Sequence, residues 1–204
     1  MNRINYQKEL DRIIGENERQ SRTPVLLLHV CCAPCSSYCL EYLSGYFDII
    51  VYYYNPNISP ETEYLFRLRE EERYLAERGF KHSVRMTESV YDPQEFFEAV
   101  RGLEKEPEGG KRCEACFRLR LEASARKAKE LGADYFTTTL TISPLKNAAL
   151  LNRIGAEMGE KFGVAWLPSD FKKREGYKRS IELSRMYNLY RQNYCGCIFS
   201  KRDT

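Results

Sequence analysis

The sequence predicts an α/β protein with a mainly parallel sheet and helices on both faces. Short apolar segments rich in β-branched and aromatic residues alternate with amphipathic segments of helical spacing along the whole chain. Capping residues precede several of the helical segments, and glycines follow several of them. No internal repeat, low-complexity tract or linker interrupts this alternation, so the 204 residues predict one domain.

The first half of the chain predicts three strands separated by helices. In order, these are a helix over 6–16, a strand over 25–30, a helix over 38–43, a strand over 48–54, a helix from Ser59-Pro60 to Gly79, and a strand over 81–86. We expect residues 1–22 to form a helical extension and residues 23–204 to form the domain.

The second half continues the same alternation. Asp92 to Glu95 has the spacing of a capping box and begins a helix. The remaining predicted elements are a helix headed by Cys113 and Cys116 and ended by Gly132, a strand over 135–141, a helix from Ser143-Pro144 to Gly163, a strand over 164–167, and a helix over 181–190.

The bulk properties favour a cytoplasmic protein with no membrane partner. The longest apolar runs, 25–28 and 49–54, are strand-sized, and the N-terminus lacks the apolar core of a signal peptide. In a chain of this length without such a leader, eight cysteines indicate metal binding or redox chemistry rather than a disulfide framework.

Two basic runs with interleaved aromatic residues are compatible with a phosphate-rich partner that offers bases for stacking. The alternative is an ordinary solvated basic surface. The runs are Lys172, Lys173, Arg174, Lys178 and Arg179 with Phe171 and Tyr177, and Lys111, Arg112, Arg118 and Arg120 with Phe117.

The predicted ligand site follows the first strand, because ligands of open parallel sheets bind at the carboxyl ends of strands. Cys31 and Cys32 stand at this position, and Ala33-Pro34 supplies a turn that can bring both thiols to one site. One of them can equally be a core cysteine. No glycine-rich phosphate loop occurs here or elsewhere, which disfavours ATP or NAD binding.

Cys113 and Cys116 form a C-x-x-C pair at a helix start, where exposed amides and the helix dipole favour thiolates. Such a pair can bind zinc or one edge of an iron–sulfur cluster, or it can be two packed thiols. With Cys31 and Cys32 it completes a four-thiolate site for either a [4Fe–4S] cluster or zinc, and ligand count does not separate the two.

The other cysteines allow further roles. Cys195-Gly196-Cys197 can grip one metal or form a strained, easily reduced disulfide. Cys35 can be a fifth ligand or bind a second metal, whereas Cys39, one helical turn on, is expected in the core. We expect His29 to lie in the core or to support the site. The three consecutive glutamates at 70–72 are expected on a solvated helix surface.

Together, these motifs resemble the QueH family of epoxyqueuosine reductases. The matching stretches lie in order between residues 29 and 197. They are His29-Val30-Cys31-Cys32-Ala33-Pro34-Cys35, Arg112-Cys113-Glu114-Ala115-Cys116-Phe117, Thr138-Thr139-Leu140-Thr141-Ile142-Ser143-Pro144, Asp170-Phe171-Lys172-Lys173 and Tyr190-Arg191-Gln192-Asn193-Tyr194-Cys195-Gly196-Cys197.

The resemblance implies a HUP-like fold with a cysteine loop in place of the phosphate loop. It implies reduction of epoxyqueuosine to queuosine at the wobble position of tRNA, the last step of queuosine biosynthesis, with an unidentified electron donor. By similarity, Cys31, Cys32, Cys113 and Cys116 would hold a [4Fe–4S] cluster, and Cys195 and Cys197 would be a redox-active disulfide pair. A second, mononuclear iron or zinc is possible in the family, and Cys35 is the residue that could serve it.

Two rival functions remain at this level. A non-catalytic zinc-binding RNA module shares the four-thiolate site and the basic runs, but it does not explain Cys195-Gly196-Cys197. An ATP-dependent tRNA thiolation enzyme on the same fold would need a phosphate loop where this chain has Cys31 to Cys35.

Overall fold

The central sheet has five strands, all parallel, in the order β3-β2-β1-β4-β5, with seven helices around it. This computed structural model describes residues 4–201. Residues 1–3 of the predicted N-terminal extension and residues 202–204 of the predicted domain lie outside the described residues. The α/β prediction is therefore confirmed. Because the strand order reverses between β1 and β4, the crevice for a ligand lies at the carboxyl ends of these two strands.

The helices and strands have the following bounds. They are α1 (Tyr6–Arg19), β1 (Val25–His29), α2 (Ala33–Leu43), β2 (Asp48–Tyr52), α3 (Glu61–Glu77), β3 (Val84–Thr87), α4 (Pro93–Ala99), α5 (Lys111–Glu130), β4 (Tyr135–Thr138), α6 (Ala148–Phe162), β5 (Ala165–Trp166) and α7 (Gly176–Met186). Short 3-10 helices cover Thr139–Ile142 and Ile198–Ser200.

Three predicted boundaries near the crevice are wrong. The helix after the cysteines begins at Ala33, not at residue 38, because Pro34 fits the first helical turn. Strand β4 ends at Thr138, whose hydroxyl accepts a hydrogen bond from Leu140 N and starts a 3-10 turn. Helix α6 begins only at Ala148, where the Asn147 side chain accepts from Leu150 N.

Alternate residues of β1 pack into separate apolar clusters on the two faces of the sheet. Leu26 and Leu28 join the cluster under α1, α2 and α3, whereas Leu27 joins the cluster under α5 and α6. In register, Leu26 pairs with Ile49 of β2 and with Tyr135 of β4. The strand that leads into the cysteines is thus buried on both sides, which fixes where its carboxyl end points.

Helix α1 packs on the first cluster through Leu10 and Ile14. Its N-cap is Asn5, whose side chain accepts from Lys8 N. The helix confirms the element predicted over 6–16, and the domain division after residue 22 stays a prediction. Across residues 4–201, none of the helices combines the length and the apolar character that crossing a bilayer requires.

Candidate metal centre and active site

The first group of thiols is Cys31, Cys32 and Cys35, at the end of β1. Cys32 is fully extended and its carbonyl accepts from the backbone amides of Cys35 and Ser36, so the chain turns back on itself. This turn brings the three Sγ atoms within 4.8 Å of one another, with 3.8 Å between Cys31 and Cys32. The expected turn is present and brings the adjacent cysteines together, while their sharing of one metal stays a prediction.

The three thiols of this group differ in how readily they ionise, and Cys31 is the one whose pKa is lowered. Hydrogen bonds from the Cys32 and Cys35 thiols lower the pKa of Cys31 well below its usual range. The same hydrogen bond to Cys31 raises the pKa of Cys32 to about 12, and contacts with Cys31 and Cys32 raise the pKa of Cys35. A thiolate is the form of cysteine that binds metal, so the site is primed at Cys31.

His29 is the last residue of β1, two residues before Cys31, and is fully buried. Its Nδ1 lies 2.8 Å from Thr138 Oγ1, and its Nε2 lies 3.0 Å from the Tyr54 carbonyl oxygen. Both ring nitrogens therefore bond within the protein, which confirms the prediction that His29 is a core or supporting residue. It ties the carboxyl ends of β1 and β4 to the segment that follows β2.

The second group of thiols is Cys113 and Cys116, on the first two turns of α5. With Cys195 and Cys197 they line a small cavity of about 20 Å³. Gly109 N donates to Cys113 Sγ at 3.2 Å, in agreement with the exposed amides expected at a helix start. Burial nevertheless raises the pKa of both thiols, that of Cys116 to about 12, so the expected stabilisation of thiolates by the helix start does not prevail without a bound cation.

The C-x-C segment is docked on α3 and on the loop that precedes it. Ser59 N donates to the Gly196 carbonyl at 3.0 Å, and Arg67 Nη1 donates to the Cys195 carbonyl at 3.4 Å. The Arg67 guanidinium also lies 5.2 Å from the centre of the Tyr194 ring. Gly196 has φ +110°, and a Cβ there would lie 3.0 Å from Arg67 Nη1, so only glycine fits between the two cysteines.

A larger cavity of about 160 Å³ adjoins the first and contains the Cys31 group. Cys195 lines both cavities, as does Arg120. Seven of the eight cysteines thus line one pair of connected sites; the exception is Cys39, which is buried and donates to the Cys35 carbonyl as a core residue. All eight are present as thiols, and Cys113 and Cys116 stand apart from the Cys31 group.

Nearly the whole sequence of this chain matches the model of one protein family. The family model described as epoxyqueuosine reductase QueH matches residues 26–203, which is most of the chain. The chain belongs to the QueH family. This family is one of oxidoreductases, so the QueH chain described here is an enzyme of that class.

Individual relatives agree with the family model over nearly the whole QueH chain. The epoxyqueuosine reductase QueH of Staphylococcus epidermidis is 48% identical over 202 residues, covering 97% of this chain and 85% of the relative. Its counterpart from Streptococcus pyogenes serotype M1 is 46% identical, covering 98% and 79%. That of Thermotoga maritima is 39% identical, covering 86% and 89%.

The donor set of this QueH chain fits a thiolate-bound metal group. Soft thiolates select iron–sulfur clusters or zinc. The two groups of cysteines supply sulfur ligands in two adjoining cavities. A tetrahedral ion with metal–sulfur bonds of about 2.3 Å places its sulfur ligands about 3.8 Å apart. The Cys31 to Cys32 separation has this value, so the Cys31 group alone also suits a single ion.

Several residues that the sequence assigned to surfaces are buried in this QueH chain. Arg112 and Arg120 are 4% and 1% exposed, so the basic run on α5 is not a continuous surface. Phe171 is fully buried and cannot stack on a base. Arg120 follows Cys116 by four residues, and this helical spacing was the signal that both share one buried face.

Glu71 is a further correction, because it is fully buried rather than solvated. Its Oε2 lies 2.8 Å from Ser36 Oγ, which is also 3.1 Å from the Ala33 carbonyl oxygen. A hydroxyl carries one hydrogen, so both contacts are satisfied when Glu71 is protonated and donates to Ser36. Burial raises the pKa of Glu71 to about 8 and favours that form. A neutral acid thus supports the first turn of α2, beside Cys35.

We expect Glu71→Gln to flatten the pH dependence of stability. Folded Glu71 keeps a proton that the unfolded chain loses above its ordinary pKa, so wild-type stability falls as pH rises from about 4.5 to about 8. Between these two pH values, the free energy of unfolding of the variant relative to that of the wild type should rise by about 4 kcal/mol. Urea titrations at several pH values measure this gain. Glu72→Gln, at the exposed neighbouring position, is the control, and equal slopes for all three proteins would contradict the prediction.

Proposed function

We propose that this QueH family member reduces epoxyqueuosine in tRNA to queuosine, with an iron–sulfur cluster and a redox-active cysteine pair. One observation carries the proposal beyond the family name. Cys195 lines both the cavity of the Cys31 group and the cavity of Cys113 and Cys116, so it shares a cavity with every candidate metal ligand. Cys197, two residues on and in the wall of the same small cavity, gives Cys195 a partner with which it can form a disulfide.

In this proposal Cys31, Cys32, Cys113 and Cys116 hold a [4Fe–4S] cluster. The low pKa of Cys31 supports its role as one ligand, since metal binds the thiolate. When bound, such a cluster supplies single electrons and an iron that can act as a Lewis acid on oxygen.

Cys195 and Cys197 supply the electron pair. Removal of the epoxide oxygen as water needs two electrons and two protons, and leaves a carbon–carbon double bond. Two thiols that become one disulfide release two electrons and two protons, so the exchange balances. An external donor then has to reduce the disulfide before the next turnover.

The mouth of the larger cavity supports a tRNA substrate. Tyr177 and Arg191 line it, and the Arg191 guanidinium lies 5.9 Å from the centre of the Tyr177 ring. Planar groups of this kind stack on unpaired bases. Lys146, half-buried at the same mouth, makes no hydrogen bond through its ammonium group within residues 4–201 and is available to a phosphate or a departing oxygen.

A second, mononuclear iron or zinc at the Cys31 group is a further part of the proposal. Its support is the 3.8 Å separation of the Cys31 and Cys32 sulfur atoms, which suits tetrahedral coordination, together with Cys35 as a third donor. The same observation favours the rival function, a zinc-binding RNA module without catalysis. ATP-dependent thiolation loses support, because the turn after β1 presents thiols rather than a phosphate loop.

The test is anaerobic purification followed by assay on tRNA that contains epoxyqueuosine. We expect iron and acid-labile sulfide in the protein, an EPR signal on reduction, and conversion of the nucleoside to queuosine by mass spectrometry. A protein that stays colourless and zinc-loaded after iron–sulfur reconstitution, and binds tRNA without converting it, would replace the reductase with the zinc-binding module.

A further inference from the structure

Arg120 is a buried charge without a carboxylate partner. It is 1% exposed, and arginine stays protonated in proteins. Its Nε and Nη1 donate to the Cys116 carbonyl and to Asn55 Oδ1, both at 3.4 Å, which is long for a hydrogen bond. Its Nη2 is buried and has no partner within residues 4–201. An isolated buried cation is costly, so this guanidinium needs a negative group nearby.

The other buried arginines are compensated locally. Arg67 forms an ion pair with Glu63 at 2.7 Å. Arg112 donates to the carbonyl oxygens of Glu104 and Glu106, and it lies over the Phe199 ring at 4.8 Å. Among the arginines buried in the described part of the chain, Arg120 alone combines full burial with neither a carboxylate nor a short hydrogen bond.

Arg120 lies 5.8 Å from the centre of the Phe117 ring, and the other cavity walls around it are rich in thiols. It lines the cavity of the Cys31 group and also the cavity of Cys113 and Cys116. Cys31, Cys32, Cys35 and Cys195 share the first of these cavities with it, and Cys113, Cys116, Cys195 and Cys197 share the second. Glu108 lines the same cavities, yet it is exposed and makes no hydrogen bond or ion pair with Arg120 within residues 4–201.

We propose that Arg120 is the internal counter-charge of the metal–thiolate site, which joins the two cysteine groups into one anion-binding centre. This proposal rests on the proposed function for the identity of the metal group but not for the charge argument, which holds for any ion bound by several thiolates. Arg120 is accordingly a positioning residue. Its Nη2 has no hydrogen-bond partner within residues 4–201, and several thiolates bound to one cation would supply the negative charge that the carboxylates around it do not.

A counter-charge differs from a purely structural residue in how its removal affects the protein. Removing the charge should stabilise the metal-free protein and weaken metal binding. Arg120→Met should raise the melting temperature of the metal-free protein, since it replaces a buried charge with an apolar chain of similar length. It should also weaken metal binding by about a hundredfold, because the bound thiolates lose their positive partner. Arg120→Lys should keep metal affinity within about tenfold of the wild type.

Cobalt(II) binding tests the proposal without the iron–sulfur cluster or the tRNA reaction. The full chain is stripped of metal under anaerobic conditions and titrated with Co²⁺, and the sulfur-to-cobalt charge-transfer band reports affinity. Circular dichroism melts of each metal-free variant report folding. Arg126→Met, at an exposed position on the same helix, is the matched control and should behave as the wild type. Arg120→Gln removes the charge but keeps a polar group, and replaces Arg120→Met if the latter does not fold.

Each outcome is informative. Weaker Co²⁺ binding in the uncharged variants, with affinity recovered in Arg120→Lys, supports the counter-charge. Wild-type affinity in Arg120→Met or Arg120→Gln overturns it, as does an equal loss of folding and affinity in Arg120→Lys. If the wild type binds Co²⁺ in this charge-dependent manner but does not convert epoxyqueuosine, the proposed function fails and the counter-charge stands. If the wild type converts epoxyqueuosine but the uncharged variants bind Co²⁺ normally, the counter-charge fails and the proposed function stands.

Discussion

Replacement of Cys195 by serine is expected to reduce epoxyqueuosine conversion to background, a loss on the order of 10³-fold or more. Serine cannot form a disulfide or release an electron pair, and Cys197 alone cannot complete the two-electron exchange. The cluster spectrum should persist, because the four proposed ligands are unchanged. Mass spectrometry of the tRNA nucleosides measures conversion, and visible and EPR spectra measure the cluster.

Cys39→Ser is the matched control for this substitution. Cys39 is buried outside both cavities and donates to the Cys35 carbonyl, a contact that a serine hydroxyl can retain. It should therefore keep both conversion and cluster. Normal turnover by Cys195→Ser would remove the cysteine pair from the mechanism. Loss of iron from Cys195→Ser would instead make Cys195 a metal ligand, for which its place in both cavity walls offers a route.

The second large effect concerns the choice of ligands. We expect Cys116→Ala to lose iron and acid-labile sulfide almost completely, because it removes one of the four proposed thiolates from the second group. Cys35→Ala should keep the cluster and lose only the additional mononuclear metal. Metal and sulfide analysis of the anaerobically purified variants measures both.

This pair of variants separates two ligand sets. If Cys35→Ala loses the sulfide-containing cluster while Cys116→Ala retains it, the resident metal belongs to the compact Cys31, Cys32 and Cys35 group. The four-thiolate assignment would then be abandoned. Far-ultraviolet circular dichroism should accompany both analyses, since Cys116 also packs in an apolar cluster with Phe96, Val100 and Cys197.

Much of the scaffold was predictable because it depends on local pattern. Strand β1 is apolar up to His29, and the first cysteines follow its carboxyl end, where the rule for parallel sheets predicts a ligand site. The start of α2 was missed although Pro34, which suits a first helical turn, was visible. That error matters, because the helical turn is what folds Cys35 back towards Cys31.

Burial of charged residues was the part that local pattern could not supply. Glu71 shares helical spacing with Tyr64, Arg67 and Tyr74, so the buried face of α3 was readable. Its partner Ser36 lies 35 residues away, and without that partner a buried glutamate is energetically implausible. Arg120 poses the same difficulty, since the thiols in the cavities that it lines come from three segments far apart in the sequence.

The two apolar clusters on the faces of the sheet have a consequence for how the holoprotein is made. They draw on all four of the longer strands and on helices along the whole chain, and their large side chains are aliphatic or aromatic rather than metal-binding. Small zinc-dependent domains, by contrast, gain their structure from the ion. These apolar clusters give the polypeptide a reason to fold without a metal. If the proposed iron–sulfur cluster is bound, its maturation is a delivery step onto a folded acceptor, and a shortage of iron would leave folded, reloadable protein rather than unfolded chains.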